Sequence, residues 1–132
     1  MTAQGSDPSA DAAIALAHRL LDAAREGDGA TLRQYLDAGV PATLTNAAGD
    51  SLLMLAAYNG HASVVADLIA RGADAEAPND RGQTPLAGAV FKGYSDVARV
   101  LLDAGASPDA GTPSARDAAT MFGRADMLEL FS

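Results

Sequence analysis

Four glycines, Gly27, Gly60, Gly93 and Gly123, follow one another at steps of 33, 33 and 30 residues. A second set, Gly39, Gly72 and Gly105, keeps the 33-residue step in the same register. It sits in three related segments, Leu36-Asp37-Ala38-Gly39-Val40, Ile69-Ala70-Arg71-Gly72-Ala73 and Leu102-Asp103-Ala104-Gly105-Ala106. Two ladders in one register describe a chain that repeats a small unit. Such a unit cannot bury its apolar face alone and must stack on its neighbours.

Each period carries two short helical patterns. In the second unit they run from Leu52 to Asn59 and from Ala62 to Arg71, the latter with Val64, Val65, Leu68 and Ile69 on one apolar face. In the third unit, Pro85 to Lys92 and Ser95 to Ala104 play the same parts. Pro85 suits a first helical turn, where its missing N–H would have no partner, and Thr84 before it is a candidate N-cap. Gly72 and Gly105 fall one residue past the second helices, where a left-handed residue ends a helix. Gly60 and Gly93 make the tight turn between paired helices. Composition agrees. Hydrophobic residues make up 48% of the chain, but aromatics only 5%, with no Trp and 31 Ala. Ala favours helix and lets helices approach closely, so an all-α protein of thin, tightly packed helices is expected.

The sequence resembles the ankyrin repeat family over about residues 12–131. The third unit carries the resemblance through Asn79, Gly82, Thr84-Pro85-Leu86, Ala89, Gly93, Val97, Leu101-Leu102 and Gly105-Ala106. The second carries it through Gly49, Leu53, Ala56-Ala57, Gly60-His61, Val64-Val65, Leu68 and Gly72-Ala73-Asp74. The resemblance implies an ankyrin-repeat solenoid of about four helix-turn-helix units with atypical capping repeats. The expected organisation is a disordered tail over 1–8 and one domain over 9–132, with units at about 9–45, 46–78, 79–110 and 111–132. The first helix is expected from Ser9 to Glu26, with Ser9 and Asp11 as candidate caps. The second, from about Ala30 to Ala38, is expected to bury Leu32, Tyr35 and Leu36. The family's T-P-L-H tetrapeptide reads Ser51-Leu52-Leu53-Met54 in the second unit and has Ala87 for its His in the third. The inter-turn hydrogen bonds that the resemblance attributes to that His are therefore not available.

The net charge is −8, from 9 basic and 17 acidic residues. The basic residues do not cluster, so the chain is expected to bind neither nucleic acid nor anionic membranes. Absence of Cys removes disulfides, thiolate zinc sites and Cys nucleophiles and fits a reducing cytoplasm. Met1 to Asp11 lacks the basic and apolar regions of an export signal, so a cytoplasmic location is expected. One Lys, Lys92, against eight Arg is the usage of a GC-rich bacterial gene.

No constellation carries chemistry. His61 falls in a turn that the repeat explains, His18 lies in another repeat, and no HExxH spacing occurs. Asp74 with Glu76, and Asp7 with Asp11, lack the apolar setting that would raise a carboxyl pKa. No G-x-S-x-G, G-x-G-x-x-G or Walker loop is present. No enzyme, catalytic residue, metal or cofactor is expected.

The resemblance implies a concave surface of turn tips and inner helices. Register aligns Arg25, Tyr58, Phe91 and Met121 in one row and Glu26, Asn59, Lys92 and Phe122 in the next. Three of the six aromatics, Tyr58, Phe91 and Phe122, fall in these rows. They are either exposed interface residues or packed against neighbouring repeats or a loop. The turn tips add Ala47, Ala48, Asp50, Asp80, Arg81 and Gln83. The partner-binding set is thus Arg25, Asp50, Tyr58, Asn59, Asp80, Arg81, Gln83, Phe91, Lys92, Met121 and Phe122. Met121, Met127, Leu128, Leu130 and Phe131 make the C-terminal end apolar, so an otherwise monomeric chain has a surface for weak self-association.

The function that the resemblance implies is non-catalytic protein–protein binding through the concave face. Two alternatives stand beside it: a dedicated regulator or stabilising accessory of an enzyme encoded nearby, and an enzyme with a small-molecule site in the groove.

Overall fold

Hydroxyls start the inner helices. Ser51, Thr84 and Ser114 each accept a hydrogen bond from the backbone N–H three residues on, of Met54, Ala87 and Asp117. Each such cap satisfies a donor that the helix itself leaves unpaired. The computed structural model describes residues 8–131. Its eight helices are α1 (Pro8–Glu26), α2 (Gly29–Asp37), α3 (Leu52–Tyr58), α4 (Ala62–Ala70), α5 (Pro85–Lys92), α6 (Ser95–Asp103), α7 (Ala115–Met121) and α8 (Ala125–Leu130). No strand occurs among the described residues, only an isolated bridge between Thr45 and Ser51. No described helix is long and apolar enough to cross a membrane.

The helices pack as antiparallel pairs, α1 with α2, α3 with α4, α5 with α6 and α7 with α8. The inner helices α1, α3, α5 and α7 stack in file, and the outer helices α4, α6 and α8 do the same behind them. This is an all-α repeat solenoid. Its packing explains the excess of Ala. Four residues before the ladder glycines stand Ala23, Ala56, Ala89 and Ala119, all buried, where each inner helix meets the next. Leu20, Leu53 and Leu86 form the companion row one turn earlier, again buried. Small and large rows side by side let short helices approach and interlock. Val65, Leu68, Val97, Leu101 and Met127 close the core from the outer layer.

The turn between paired helices also holds neighbouring repeats together. Gly60 and Gly93 have φ of 83° and 82°. A side chain at Gly60 would meet the ring of Tyr94 at 3.1 Å, and one at Gly93 would meet the Arg124 guanidinium at the same distance. His61 lies in the same way over Gly27. The residue after each ladder glycine thus covers the glycine of the preceding repeat. His61 Nε2 lies 2.7 Å from the Arg25 carbonyl oxygen, and Arg124 donates to the Phe91 carbonyl at 3.2 Å. A carbonyl only accepts, so Nε2 of His61 carries the proton.

Two expectations are corrected, and a third falls outside the described residues. The first helix begins at Pro8, so Ser9 and Asp11 both lie within its first turn and neither precedes it as a cap would. The tail expected over 1–8 lies outside the described residues except for Pro8. Tyr35 and Leu36 are half-buried, because the outer face of α2 has no closely packed neighbour of its own.

Candidate interaction groove

Along the inner file, Tyr58, Phe91, Phe122 and Met121 stand 41%, 43%, 48% and 68% exposed. The rings of Tyr58 and Phe91 are stacked at 6.5 Å between centroids, and Phe91 meets Phe122 edge-on at 4.9 Å. The rings are therefore both exposed and packed. The rings pack on one another across three repeats and still present about half their surface to water. Phe122 sits one register place later than Phe91, so their contact crosses the two expected rows diagonally. Lys92 does so too, with Nζ 5.1 Å from the Tyr58 ring centroid. Ring contacts of this kind contribute about 0.5–1.5 kcal/mol beyond burial.

The row borders an open groove of about 490 Å³. Its floor is Met54, Leu55, Ala87, Gly88 and Ala118, and its tip wall is Asn79, Thr84 and Pro113. Asp50, Tyr58, Arg81, Gln83, Phe91, Met121 and Phe122 also line it, whereas Arg25, Asn59, Asp80 and Lys92 stand outside the lining. A glycine inside a helix costs about 0.5–1 kcal/mol relative to Ala, and here it has a local reason. A Cβ at Gly88 would come within 3.0 Å of Tyr58 Cδ1, so the missing side chain seats the tyrosine ring against α5.

Hydrogen bonds fix the tip wall. The Asn79 amide donates to Asp50 Oδ1 at 2.9 Å and to Gln83 Oε1 at 2.8 Å. Its Oδ1 accepts from the backbone N–H groups of Arg81 and Gln83. Asn46 repeats the pattern one unit earlier, donating to Asp50 Oδ2 and accepting from the N–H groups of Ala48 and Asp50. Backbone bonds join successive tips, from Asp80 N–H to the Ala48 carbonyl and from Thr112 N–H to the Gly82 carbonyl. These contacts link neighbouring turns while Met54 and Ala87 form apolar floor. Asp50, expected as a free partner contact, is a strut with both oxygens engaged.

The remaining members of the set divide by role. Arg25 pairs with Asp22 at 2.7 Å. Asn59 donates to the Leu55 carbonyl and closes α3. Asp80 and Arg81 are exposed on one tip. Titration shifts belong to pairs beyond the groove. Hydrogen bonds from Thr31 lower the Asp28 carboxyl, Arg116 lowers Asp109, and Asp37 and Asp109 raise Arg71 and Arg116 respectively. Among the described residues no three His, Cys, Asp or Glu side chains gather as a metal site requires.

Sequence reasoning missed the floor and the three turn staples. The staples left a signal, a large side chain at 61, 94 and 124 after each ladder glycine. The floor left none, because Ala87, Gly88 and Ala118 look like ordinary small helix residues.

A family model described as ankyrin repeats, in three copies, matches residues 20–112. An ankyrin repeat protein of Pseudomonas aeruginosa is 52% identical over 42 residues, which cover 32% of this chain and 25% of that protein. The chain thus spans about a quarter of the length of that relative.

Proposed function

We propose that this chain, which belongs to the ankyrin repeat family, is a non-catalytic module that binds a partner protein through its concave groove. Ankyrin repeats generally mediate protein–protein interaction. The observation that carries the reading here is the half-exposed ring row Tyr58–Phe91–Phe122 beside an apolar floor. The other aromatics are at least partly withdrawn from water: Tyr35, Tyr94 and Phe131 pack against the core. Aromatic side chains clustered on a concave surface supply large contact area at low entropy cost, which is what interface hot spots use. Phe91 is central, touching both other rings. Tyr58, Met121 and Phe122 extend the contact area, and Arg81 and Gln83 contribute polar contacts from the tip.

The test is Tyr58→Ala with Phe91→Ala. The double variant is expected to keep its helical circular dichroism, lose no more than about 1–2 kcal/mol of stability, and fail to retain the partner that wild type captures from a native-host lysate. Severe unfolding with capture intact would assign the two rings to the core instead.

A further inference from the structure

We propose that the groove is built for a protein segment in which a bulky apolar residue is flanked by acidic residues. The inference rests on the groove being the binding surface and names the chemistry of its occupant.

The argument begins with which charges are already satisfied. Arg25, Arg71 and Arg116 each pair with a carboxylate, and Arg124 and Arg19 donate to the Phe91 carbonyl and the Tyr35 hydroxyl. Arg33, Arg99, Arg81 and Lys92 make no ion pair among the described residues, although acidic residues outnumber basic ones almost two to one. Arg33 and Arg99 stand on α2 and α6, away from the lining, which leaves Arg81 and Lys92 beside the groove. These two cations bracket the groove. Arg81 lines its tip end, and Lys92 ends α5 at the other, resting on the Tyr58 ring. The eight-residue helix α5, on the order of 12 Å long, runs between the two residues in the chain.

Anions do not cancel them. Asp50 is the one carboxylate in the lining, and each of its oxygens already accepts an amide N–H. The Asp80 carboxylate lies over Gly49 of the preceding tip, outside the lining. An apolar side chain of the occupant fits the Met54, Ala87 and Ala118 floor beside the rings. Carboxylates on either side of it reach Arg81 and Lys92. A basic segment would face two like charges and gain no free carboxylate in the lining, which opposes it. The net charge of −8 repels an acidic segment at long range, but that field is screened within about 8 Å at physiological salt, leaving the local cations to select at contact.

Random peptides displayed on phage and selected on the full chain test this, with the Tyr58→Ala/Phe91→Ala variant as counter-selection. Groove-dependent peptides are expected to share a Leu, Met or Phe with Asp or Glu on both sides. Against such a synthetic peptide, Arg81→Ala and Lys92→Ala should each weaken binding about twofold to fivefold. Arg81→Ala should leave the melting curve unchanged, and Lys92→Ala should lower it only by the loss of its contact with the Tyr58 ring. Enrichment of Lys- and Arg-rich peptides, or of apolar peptides indifferent to both substitutions, overturns the proposal while leaving the groove as the binding site. Failure to enrich any peptide that the counter-selection removes overturns the binding function itself.

Discussion

Helices α5 and α6 form one hairpin, have nearly the same length and bury comparable apolar faces, yet they treat water differently. The outer helix α6 buries Val97, Ala98 and Leu101 and exposes Asp96, Arg99 and Asp103. The inner helix α5 buries Pro85, Leu86, Ala87, Ala89 and Val90 and exposes Phe91 beside Lys92. The chain therefore covers a helix with charge where it has nothing else to do with it. An exposed phenylalanine on the neighbouring helix is not imposed by the repeat. The contrast sets a charged outer face against an inner face that leaves large rings in water.

The contrast concerns surfaces only, and the largest expected effects test that restriction. Leu86 and Leu101 are both essentially inaccessible, one under each face. Leu86→Ala and Leu101→Ala should each cost about 2–5 kcal/mol in urea unfolding, since both delete methyl groups from one continuous core. A much smaller loss for Leu86 would mean that the groove side is loosely packed. Next comes Asn79→Ala. It removes two side-chain donations and leaves the N–H groups of Arg81 and Gln83 without their acceptor, a loss of about 2–3 kcal/mol. Because Asp50 and Gln83 then lose their shared partner, binding should weaken with stability. That coupling distinguishes the tip wall from the ring row. Single substitutions on the two surfaces make the direct comparison. Phe91→Ala should cost about 1 kcal/mol of stability and most of the binding, whereas Arg99→Ala should change stability by less than about 0.5 kcal/mol and leave binding intact. Equal effects on binding would erase the distinction between faces.

The two faces were not equally legible in the sequence. The 33-residue glycine steps announced the hairpins because Gly60 and Gly93 must take positive φ beneath a neighbour's side chain. Helix starts were readable at Thr84-Pro85, where cap chemistry is local. Register also placed Tyr58, Phe91 and Met121 on one side. What register cannot supply is reach. Phe91 meets Phe122 and Lys92 meets Tyr58 across rows, because a long side chain spans several ångströms from its own Cα. The role of Asp50 as a strut was not legible, because one of the two amides that engage it lies 29 residues away. Gly88 drew no notice in the sequence, because its reason is the Tyr58 ring, whose Cδ1 would lie 3.0 Å from a Cβ there.

Acid gives the smallest effect, and its location sharpens the contrast. Thr31 hydrogen bonds hold Asp28 below its ordinary carboxyl value of 3.8, and the Arg116 side chain does the same for Asp109. A carboxyl whose pKa is lower when folded binds more protons in the unfolded chain. Its contribution is therefore complete above the ordinary carboxyl range and disappears as pH falls through the lowered folded value. Both groups are exposed, so the change is small and screened by salt. Asp28 caps α2, and Asp109 ties the last tip loop to α7 at Arg116; neither lines the groove. The urea midpoint of wild type should drop between about pH 5 and pH 3, and Asp109→Asn should remove part of that drop. The row is held by ring contacts and neither shifted carboxyl touches it, so an apolar probe bound there should hold its affinity until the chain unfolds. Loss of that binding well above the unfolding transition would show that the ring row depends on the acid-sensitive ends and that the two regions are one cooperative surface.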